Sequence, residues 1–475
     1  MSLKQAKTNS LSALPILVSV FFFWGFVAAS NDILIPVFKE QLDLKQWQSQ
    51  MISFAFYVAY TVGSILYLWI SNRTGGDLLN RMGYKNGIAL GLVISAIGVL
   101  LFYPAAEMSS FGLMISGLFI VGLGFSLQQT AANPMAINIG DPSKGSQRLS
   151  LAGGVNNIGT TIGPVIVSFA IFGSTTATTS LDSLSAVKTP YLILGAAFII
   201  VAILFKISSL PNHILSEETP SADNHENLSA LQYPQLWMGM IAIFLYVGVE
   251  VSTASNLPEY MKQYLGTQTE DIAPYVSLFW ASLMIGRWTG AVGTFNVSKG
   301  WKNLLTFVLP YAAFGVFLLT NAIANHDLSP FYIYVFVILA IIVADIISKG
   351  DPSKQLVIFS ICGIAALIIG MMTSGMTSVY AFISVGLFCS TLWPCIFTLA
   401  IAGLGKFTNQ GSGLLIMMIM GGGVVSLLQG FLAEDHLLGI RFSYLVGVAC
   451  FAYLAFYGWK AGSILKSRGI NYTQS

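Results

Sequence analysis

The stretch GGDLLNRMGYK occupies residues 75–85, directly after the second of a series of long apolar segments. A related stretch, GAVGTFNVSKGWK, occupies residues 290–302, after the second apolar segment in the other half of the chain. Both combine glycines with basic residues, which is typical of short loops that join membrane helices on the cytosolic side. Their recurrence predicts two related bundles of helices.

The composition excludes a soluble protein. Charged residues make up 9% of the 475 residues, apolar residues make up 55%, and the mean hydropathy is +0.74. A soluble domain carries about 25% charged residues, which cover its surface. With 22 basic and 20 acidic residues the net charge is only +2, so no basic surface for nucleic acid is expected. We therefore expect a membrane protein whose surroundings are a lipid bilayer.

Fourteen apolar segments are long enough to cross a membrane, since a spanning helix needs ~20 residues for ~30 Å of hydrocarbon. They lie at residues 12–38, 46–72, 86–104, 111–138, 149–173, 190–209, 236–264, 273–296, 303–324, 330–348, 356–374, 378–404, 411–432 and 441–459. The predicted fold class is all-α, as a polytopic membrane protein with about fourteen transmembrane helices.

Basic residues in the loops predict the orientation. With the N-terminus inside, 16 lysines and arginines fall on the cytosolic side and five on the outer side. Both termini are therefore expected in the cytosol. The first apolar segment lacks a small-residue cleavage site, so it is predicted to be a spanning helix and not a signal peptide.

The repeat extends beyond the loops. QTAANP at 129–134 corresponds to LWPCIF at 392–397, and each segment places a proline inside a predicted helix. The halves align only when residues 303–355 are skipped, so this stretch is predicted to be an inserted two-helix hairpin. Parallel repeats of this kind are typical of two-bundle transporters with a central site. The predicted domains are a six-helix bundle at 1–209, a cytosolic linker at 210–235, and a second bundle at 236–475.

Two isolated carboxylates are the candidate coupling groups. Asp32 lies in FWGFVAASNDILIP at 23–36, and Glu250 lies in YVGVEVSTASNLP at 246–258. A charge inside the bilayer costs at least ~2.5–3.5 kcal/mol, so such residues are functional candidates. Each could bind a proton or hold Na⁺ while ionised, and each could instead be a structural partner of a neighbouring helix.

Amide and indole side chains surround these carboxylates along the sequence. An amide offers both a donor and an acceptor, as sugar hydroxyls require, and an indole face can stack on a sugar ring. The alternatives are hydrogen bonds between helices and ordinary packing. Together with Glu250, the candidate sugar contacts are Asn31, Gln129, Asn133, Asn156, Asn256, Trp280 and Trp393.

Other charges suggest gating. Asp77, Arg81 and Lys85 lie in the first glycine-rich loop, and Arg287 lies near the cytosolic end of its predicted helix. We expect Asp77, Arg81 and Lys85 to form a charge network that holds one conformation of a transporter. Arg287 is expected to pair with a gate carboxylate, and substrate contact is the alternative. The four cysteines lie in apolar segments and the four histidines in loops, so neither a metal site nor a cofactor is predicted.

The motifs themselves resemble a known family. GGDLLNRMGYK resembles a signature of the major facilitator superfamily. The whole set is similar to the fucose–galactose–glucose symporter family over about residues 14–300 and 356–460. The segments that carry this second resemblance are NDILIP, YPAAE, QTAANP, NNIGTTIGP, YVGVEV and IGRWTG.

This resemblance implies a fold of two six-helix bundles, to which the inserted hairpin is added. It also implies a monomeric symporter of a bacterial inner membrane. The family imports glucose, galactose or fucose with H⁺ or Na⁺ by alternating access, and it is not an enzyme family. It assigns a protonation role to the aspartate of the N-D-I-L motif, here Asp32. Gln129 replaces a glutamate found in fucose permeases, which favours the glucose/galactose branch. The alternative is a fourteen-helix drug/proton antiporter, whose site would be mostly apolar.

Overall fold

The structure is a computed structural model. It describes the backbone of residues 14–41, 46–74, 76–172, 185–208, 210, 212, 229–267, 269–295, 297–434 and 436–470. Within these ranges it leaves out the side chains at 28–41, 46–53, 142, 164–165, 167–172, 185–187 and 269–270. Asn31 and Asp32 fall on a described helix, but their side chains lie outside the described part. Their predicted roles therefore stay predictions.

The described ranges fold mainly into helices. In the first half these are α1 (Leu14–Gln41), α2 (Gln46–Arg73), α3 (Leu78–Met82), α4 (Tyr84–Leu100), α5 (Phe102–Glu107), α6 (Phe111–Asn138), α7 (Gly145–Phe172) and α8 (Ser185–Ile207). In the second half they are α9 (Pro234–Leu265), α10 (Thr269–Gly290), α11 (Lys299–Ile323), α12 (Tyr334–Ser348), α13 (Pro352–Met372), α14 (Gly375–Cys389), α15 (Leu392–Ile401), α16 (Thr408–Met417), α17 (Gly421–Leu432), α18 (Gly439–Ser443) and α19 (Leu445–Ser467).

The predicted all-α, multi-pass membrane fold is confirmed. Within the described residues, 11 helical segments are long and apolar enough to cross a membrane. Many large apolar side chains are exposed on them, for example Phe336 at 71% and Leu427 at 68%. Such exposure suits contact with lipid and not with water. The count of fourteen helices and the inserted hairpin stay predictions.

Two compact units emerge from the packing. The first comprises Met1–Gly140, Ile158–Glu218 and Lys406–Met417, and the second comprises Asp141–Asn157, Thr219–Gly405 and Met418–Ser475. Each unit therefore includes a short segment from the other half of the sequence, the beginning of α7 or the whole of α16. The predicted bundle boundaries at 209 and 236 remain a prediction.

Small residues allow close helix packing inside the first unit. Here α4 packs against α6 and α8, and α6 packs against α2. A Cβ added at Gly124 would lie 2.5 Å from the carbonyl oxygen of Gly91, and one at Gly98 would lie 2.6 Å from that of Gly117. Larger residues would force α4 and α6 apart and remove van der Waals contacts, the main attraction between helices in lipid.

The second unit repeats this pairing. Helix α13 packs against α14 and α19, and α10 packs against α14, in the same chain order as in the first unit. Helix α9 lies against α17, where Gly248 and Gly421 allow close approach. Helices α11 and α12 contact α10 and have no counterpart in the described pairing of the first unit.

Candidate functional site

In the second unit, Glu250 is held by a neighbour on its own helix. Tyr246 precedes it by four residues on α9, so both side chains share one face. The Tyr246 hydroxyl donates a hydrogen bond to Oε2 of Glu250. Tyr246 is buried, whereas Glu250 as a whole residue is partly exposed.

Arg287 on α10 supplies the positive charge of this cluster. Its Nη2 lies 3.5 Å from the Tyr246 hydroxyl, at the limit of a hydrogen bond. Its Nε donates to the carbonyl oxygen of Ser390 over 3.1 Å, and its Nη1 donates to Oδ1 of Asn157 over 2.6 Å. The carboxylate of Glu250 and the guanidinium thus flank one phenol. This arrangement compensates two charges that would be costly in isolation.

The beginning of α7 completes this cluster. Asn157 receives the bond from Arg287, and its own Nδ2 lies 3.4 Å from the carbonyl oxygen of Trp280. Trp288 Nε1 donates to the carbonyl oxygen of Gly154 over 3.3 Å. The predicted residue, Asn156, lies beside Asn157 and is partly exposed. Sequence reasoning missed Asn157, for which the adjacent pair of asparagines was the available signal.

Aromatic and amide candidates also lie in the second unit. The Trp393 ring lies 6.1 Å from the Tyr246 ring, so this indole is brought to the Glu250 cluster. Trp280 packs edge to face on Phe279 at 5.5 Å and keeps partial exposure. Asn256 donates to the carbonyl oxygen of Ser252 within its own helix, so its second N–H and its amide oxygen keep hydrogen-bonding capacity for a ligand.

In the first unit, Gln129 and Asn133 are placed one turn apart on α6. Gln129 is partly exposed, and its Nε2 donates to the Tyr60 hydroxyl over 2.9 Å. Asn133 is 1% exposed, and its Nδ2 has no hydrogen-bond partner among the described groups. A buried amide donor without a partner is costly, so it is suited to a ligand or an ordered water.

The neighbouring Gln128 has a different environment. It is fully buried, accepts a hydrogen bond from Trp24 Nε1 over 2.6 Å, and donates to Oγ of Ser95 over 2.9 Å. These bonds tie α6 to α1 and α4. Gln128 is therefore a structural residue, and it provides an internal control for Gln129.

The loop at 75–85 also lies in the first unit, and Asp77 is its centre. Asp77 caps α3 by accepting from the Asn80 backbone N–H over 2.9 Å, and it accepts from the Tyr67 hydroxyl over 2.7 Å. Asn409 at the start of α16 donates to Asp77 over 2.9 Å and accepts from the Tyr84 hydroxyl over 2.5 Å. The carboxylate is thus satisfied by neutral donors.

The basic side chains of this loop do not form ion pairs with Asp77 in the described structure. Lys85 donates to the carbonyl oxygen of Ser208 over 3.1 Å. Within the described ranges no ion pair joins Asp77 to Arg81 or Lys85, and the charge network expected from the sequence stays a prediction. Gly83 has φ of 84°, a conformation that favours glycine where the loop turns into α4.

Metal-ligating clusters are absent from the part of the chain that the structure describes, where no three His, Cys, Asp or Glu side chains come together. The groups present are instead suited to hydrogen bonding of hydroxyls and to holding a proton or a single cation.

Comparison with known proteins assigns the chain to a family. Residues 16–348 match the profile of the Major Facilitator Superfamily. A "Glucose/galactose transporter" of Brucella abortus is 34% identical over 456 residues, covering 96% of this chain and 95% of the relative. An "L-fucose-proton symporter" of Escherichia coli is 28% identical, covering 92% and 90%. A crystal structure of FucP, a transporter of this superfamily in the outward conformation, is similar with a TM-score of 0.70 and 26% identity, covering 94% of this chain and 98% of FucP.

Proposed function

Because the chain belongs to the Major Facilitator Superfamily, a family of transporters and not of enzymes, we propose that it is a cation-coupled hexose symporter. The observation that carries the proposal is the Glu250–Tyr246–Arg287 cluster. Glu250 is an ionisable, partly exposed residue inside a spanning helix, and Arg287 on another helix is its charge partner. A group of this kind can gain and lose a cation during a transport cycle.

Glucose or galactose is the preferred substrate in this proposal. Support comes from full-length similarity to a glucose/galactose transporter, which exceeds that to a fucose-proton symporter. Amide and indole side chains supply the donors, acceptors and stacking faces that a hexose requires. The proposed contacts are Asn31, Gln129, Asn133, Asn156, Asn256, Trp280 and Trp393.

Coupling is assigned to Asp32 and Glu250. When Glu250 is ionised, it accepts from Tyr246 and offsets the charge of Arg287. Binding of a proton or Na⁺ neutralises the charge of Glu250. Arg287 then keeps its hydrogen bonds to Ser390 and Asn157. This change gives the ion a means of biasing the conformation of the second unit. Proton coupling has the additional support of relatives named L-fucose-proton symporter.

Gating is assigned to Asp77, Arg81, Lys85 and Arg287. In the first unit, the bonds that Asn409 makes with Asp77 and Tyr84 bring residues far apart in the chain together. A rearrangement of the helices within the first unit would break such bonds. They therefore suit a reversible latch.

The proposed architecture has fourteen helices, with two six-helix bundles at 1–209 and 236–475 and a hairpin inserted at 303–355. Support for the insertion comes from α11 and α12, which stand outside the pairing shared by the described helices of both halves. We place the chain in a bacterial inner membrane as a functional monomer, with both termini in the cytosol.

Counterflow in proteoliposomes tests the function. Vesicles loaded with unlabelled glucose, galactose or fucose are diluted into the labelled sugar, which requires binding and exchange but no ion gradient. Glu250→Gln is expected to keep counterflow and to lose gradient-driven accumulation. Asp32→Asn is tested in parallel.

Three results would overturn parts of this proposal. Failure of all three sugars, with competition by cationic dyes, would support a drug antiporter instead. Normal accumulation by Glu250→Gln would remove the coupling role of that residue. Normal accumulation by Asp32→Asn would do the same for Asp32.

A further inference from the structure

A groove separates α13 and α19, at the end of the second unit where α13 begins and α19 finishes. Its volume is about 430 Å³, and it is lined by residues of these two helices only. None of its residues takes part in the transport cluster described above. The basic residues at this end place it on the predicted cytosolic side.

Two lysines, one from each helix, line the groove. Lys354 belongs to the first turn of α13 and Lys466 to the last turn of α19, and both are exposed. The acid next to them is Asp351, whose Oδ2 lies 3.9 Å from Lys354 Nζ. Asp351 is buried and uses Oδ1 to cap α13, so it offsets only part of the positive charge. The groove therefore favours an anion.

Apart from the two lysines and two serines, Ser353 and Ser463, the wall of the groove is apolar. Trp459 is 63% exposed and forms one side, and Val357 and Ile358 form the other. An exposed tryptophan at a membrane boundary sits at the level of lipid headgroups. Cationic and apolar surfaces therefore meet in one groove, as an amphipathic ligand requires.

Helices α13 and α19 are joined by a hydrogen bond beside the groove. Ser353 donates to the carbonyl oxygen of Gly458 over 2.8 Å. A Cβ added at Gly458 would lie 3.1 Å from the carbonyl oxygen of Ser353, so α13 and α19 are in close contact at this point. The groove therefore lies beside a tight contact between the two helices.

We propose that this groove binds the headgroup of an anionic phospholipid, with the phosphate between Lys354 and Lys466 and an acyl chain along Trp459, Val357 and Ile358. Lysine binds phosphate as a point charge, and basic sites between helices on the cytosolic side recognise anionic headgroups. Each lysine near the surface contributes about a five-fold increase in affinity, so loss of both predicts a fall of about ten- to thirty-fold.

Native mass spectrometry of the purified full-length protein tests the proposal. Mixed micelles contain equal amounts of phosphatidylglycerol and phosphatidylcholine, and the ratio of the two bound lipids is measured. The wild type is expected to prefer phosphatidylglycerol. Lys354→Gln/Lys466→Gln should lower that preference about ten- to thirty-fold. The matched control, Lys299→Gln/Lys302→Gln at the start of α11, removes two basic residues outside the groove and should retain it.

Further arms distinguish a built site from general surface charge. Ser463 lines the groove and is exposed, so Ser463→Phe should block the headgroup without changing the charge. Inorganic phosphate tests whether the lipid is needed, and it should displace little phosphatidylglycerol. The proposal is overturned if both double variants lose preference equally, if Ser463→Phe binds as the wild type does, or if phosphate alone displaces the lipid. Sugar transport is not required in this assay.

Discussion

Removal of one charge from the Glu250–Arg287 cluster is predicted to destabilise the second unit. Arg287→Gln loses the charged bonds to Ser390 and Asn157 and leaves Glu250 without its charge partner. Charged hydrogen bonds contribute about 1.5–3 kcal/mol each. Because Arg287 is partly exposed, we expect the lower end for the two lost bonds, about 3 kcal/mol of unfolding free energy.

A double-mutant cycle isolates the electrostatic part of this loss. Glu250→Gln leaves the guanidinium without its counter-charge, so it too is expected to be destabilising. In Glu250→Gln/Arg287→Gln neither charge remains. The double variant should therefore be more stable than the sum of the two single losses predicts, by about 1–3 kcal/mol.

Reversible unfolding in mixed micelles, with denaturing detergent as the variable, provides the free energies. All four proteins are compared at one pH and one ionic strength. Additivity of the two single losses within about 0.5 kcal/mol would refute the link between these charges through Tyr246. Arg287→Lys, which keeps the charge but loses the planar fork, should fall between the wild type and Arg287→Gln.

Three other predictions concern the first unit and the turn before α7. Gln129→Ala should raise the KM for sugar uptake with little change in stability. Gln128→Leu should instead lower the unfolding free energy by about 1–3 kcal/mol and leave the KM unchanged. The reverse pattern would contradict the assignment of Gln129 to the sugar and of Gln128 to the structure. Asn409→Ala should lower Tm more than Tyr84→Phe does, because loss of Asn409 deprives both Asp77 and Tyr84 of a hydrogen-bond partner. Equal Tm values for the two variants would contradict this. Although partial burial opposes ionisation, hydrogen bonds from Ser143 and the charges of Arg148 and Lys144 lower the pKa of Asp141. Its stabilisation is present above the unfolded pKa and lost only as pH falls through the lower folded pKa. Asp141→Asn should therefore lower Tm equally at about pH 5.5 and pH 7.5, and a loss confined to one pH would contradict it.

Helix positions were largely predictable from the sequence because an apolar run of sufficient length leaves few alternatives. The predicted segment 111–138 coincides with α6, which begins after Ser110, whose side chain accepts from the Leu113 backbone N–H. The predicted segment 378–404 divides into α14 and α15, and 411–432 contains a 3₁₀ turn at Met418–Met420. Hydropathy does not register these interruptions, because every side chain in the 3₁₀ turn is apolar.

The sequence predicted the charged residues of the candidate site but not their neutral partners. Glu250 and Arg287 stand out because ionisable residues are rare in spanning helices. Tyr246 and Asn157 are neutral and occur among other polar residues, so only the structure identifies them as partners. The bond between Asn409 and Asp77 joins residues 332 positions apart, a separation that no local pattern registers.

Gradient-driven uptake tests the central claim most directly. Labelled glucose and galactose uptake is measured in proteoliposomes with an inward proton gradient, an inward sodium gradient, or neither. The account predicts accumulation above the external concentration with one gradient, its collapse when that gradient is dissipated, and its loss in Glu250→Gln while sugar exchange continues. Equal uptake with and without both gradients, or full accumulation in Glu250→Gln, would contradict coupled hexose symport through this cluster.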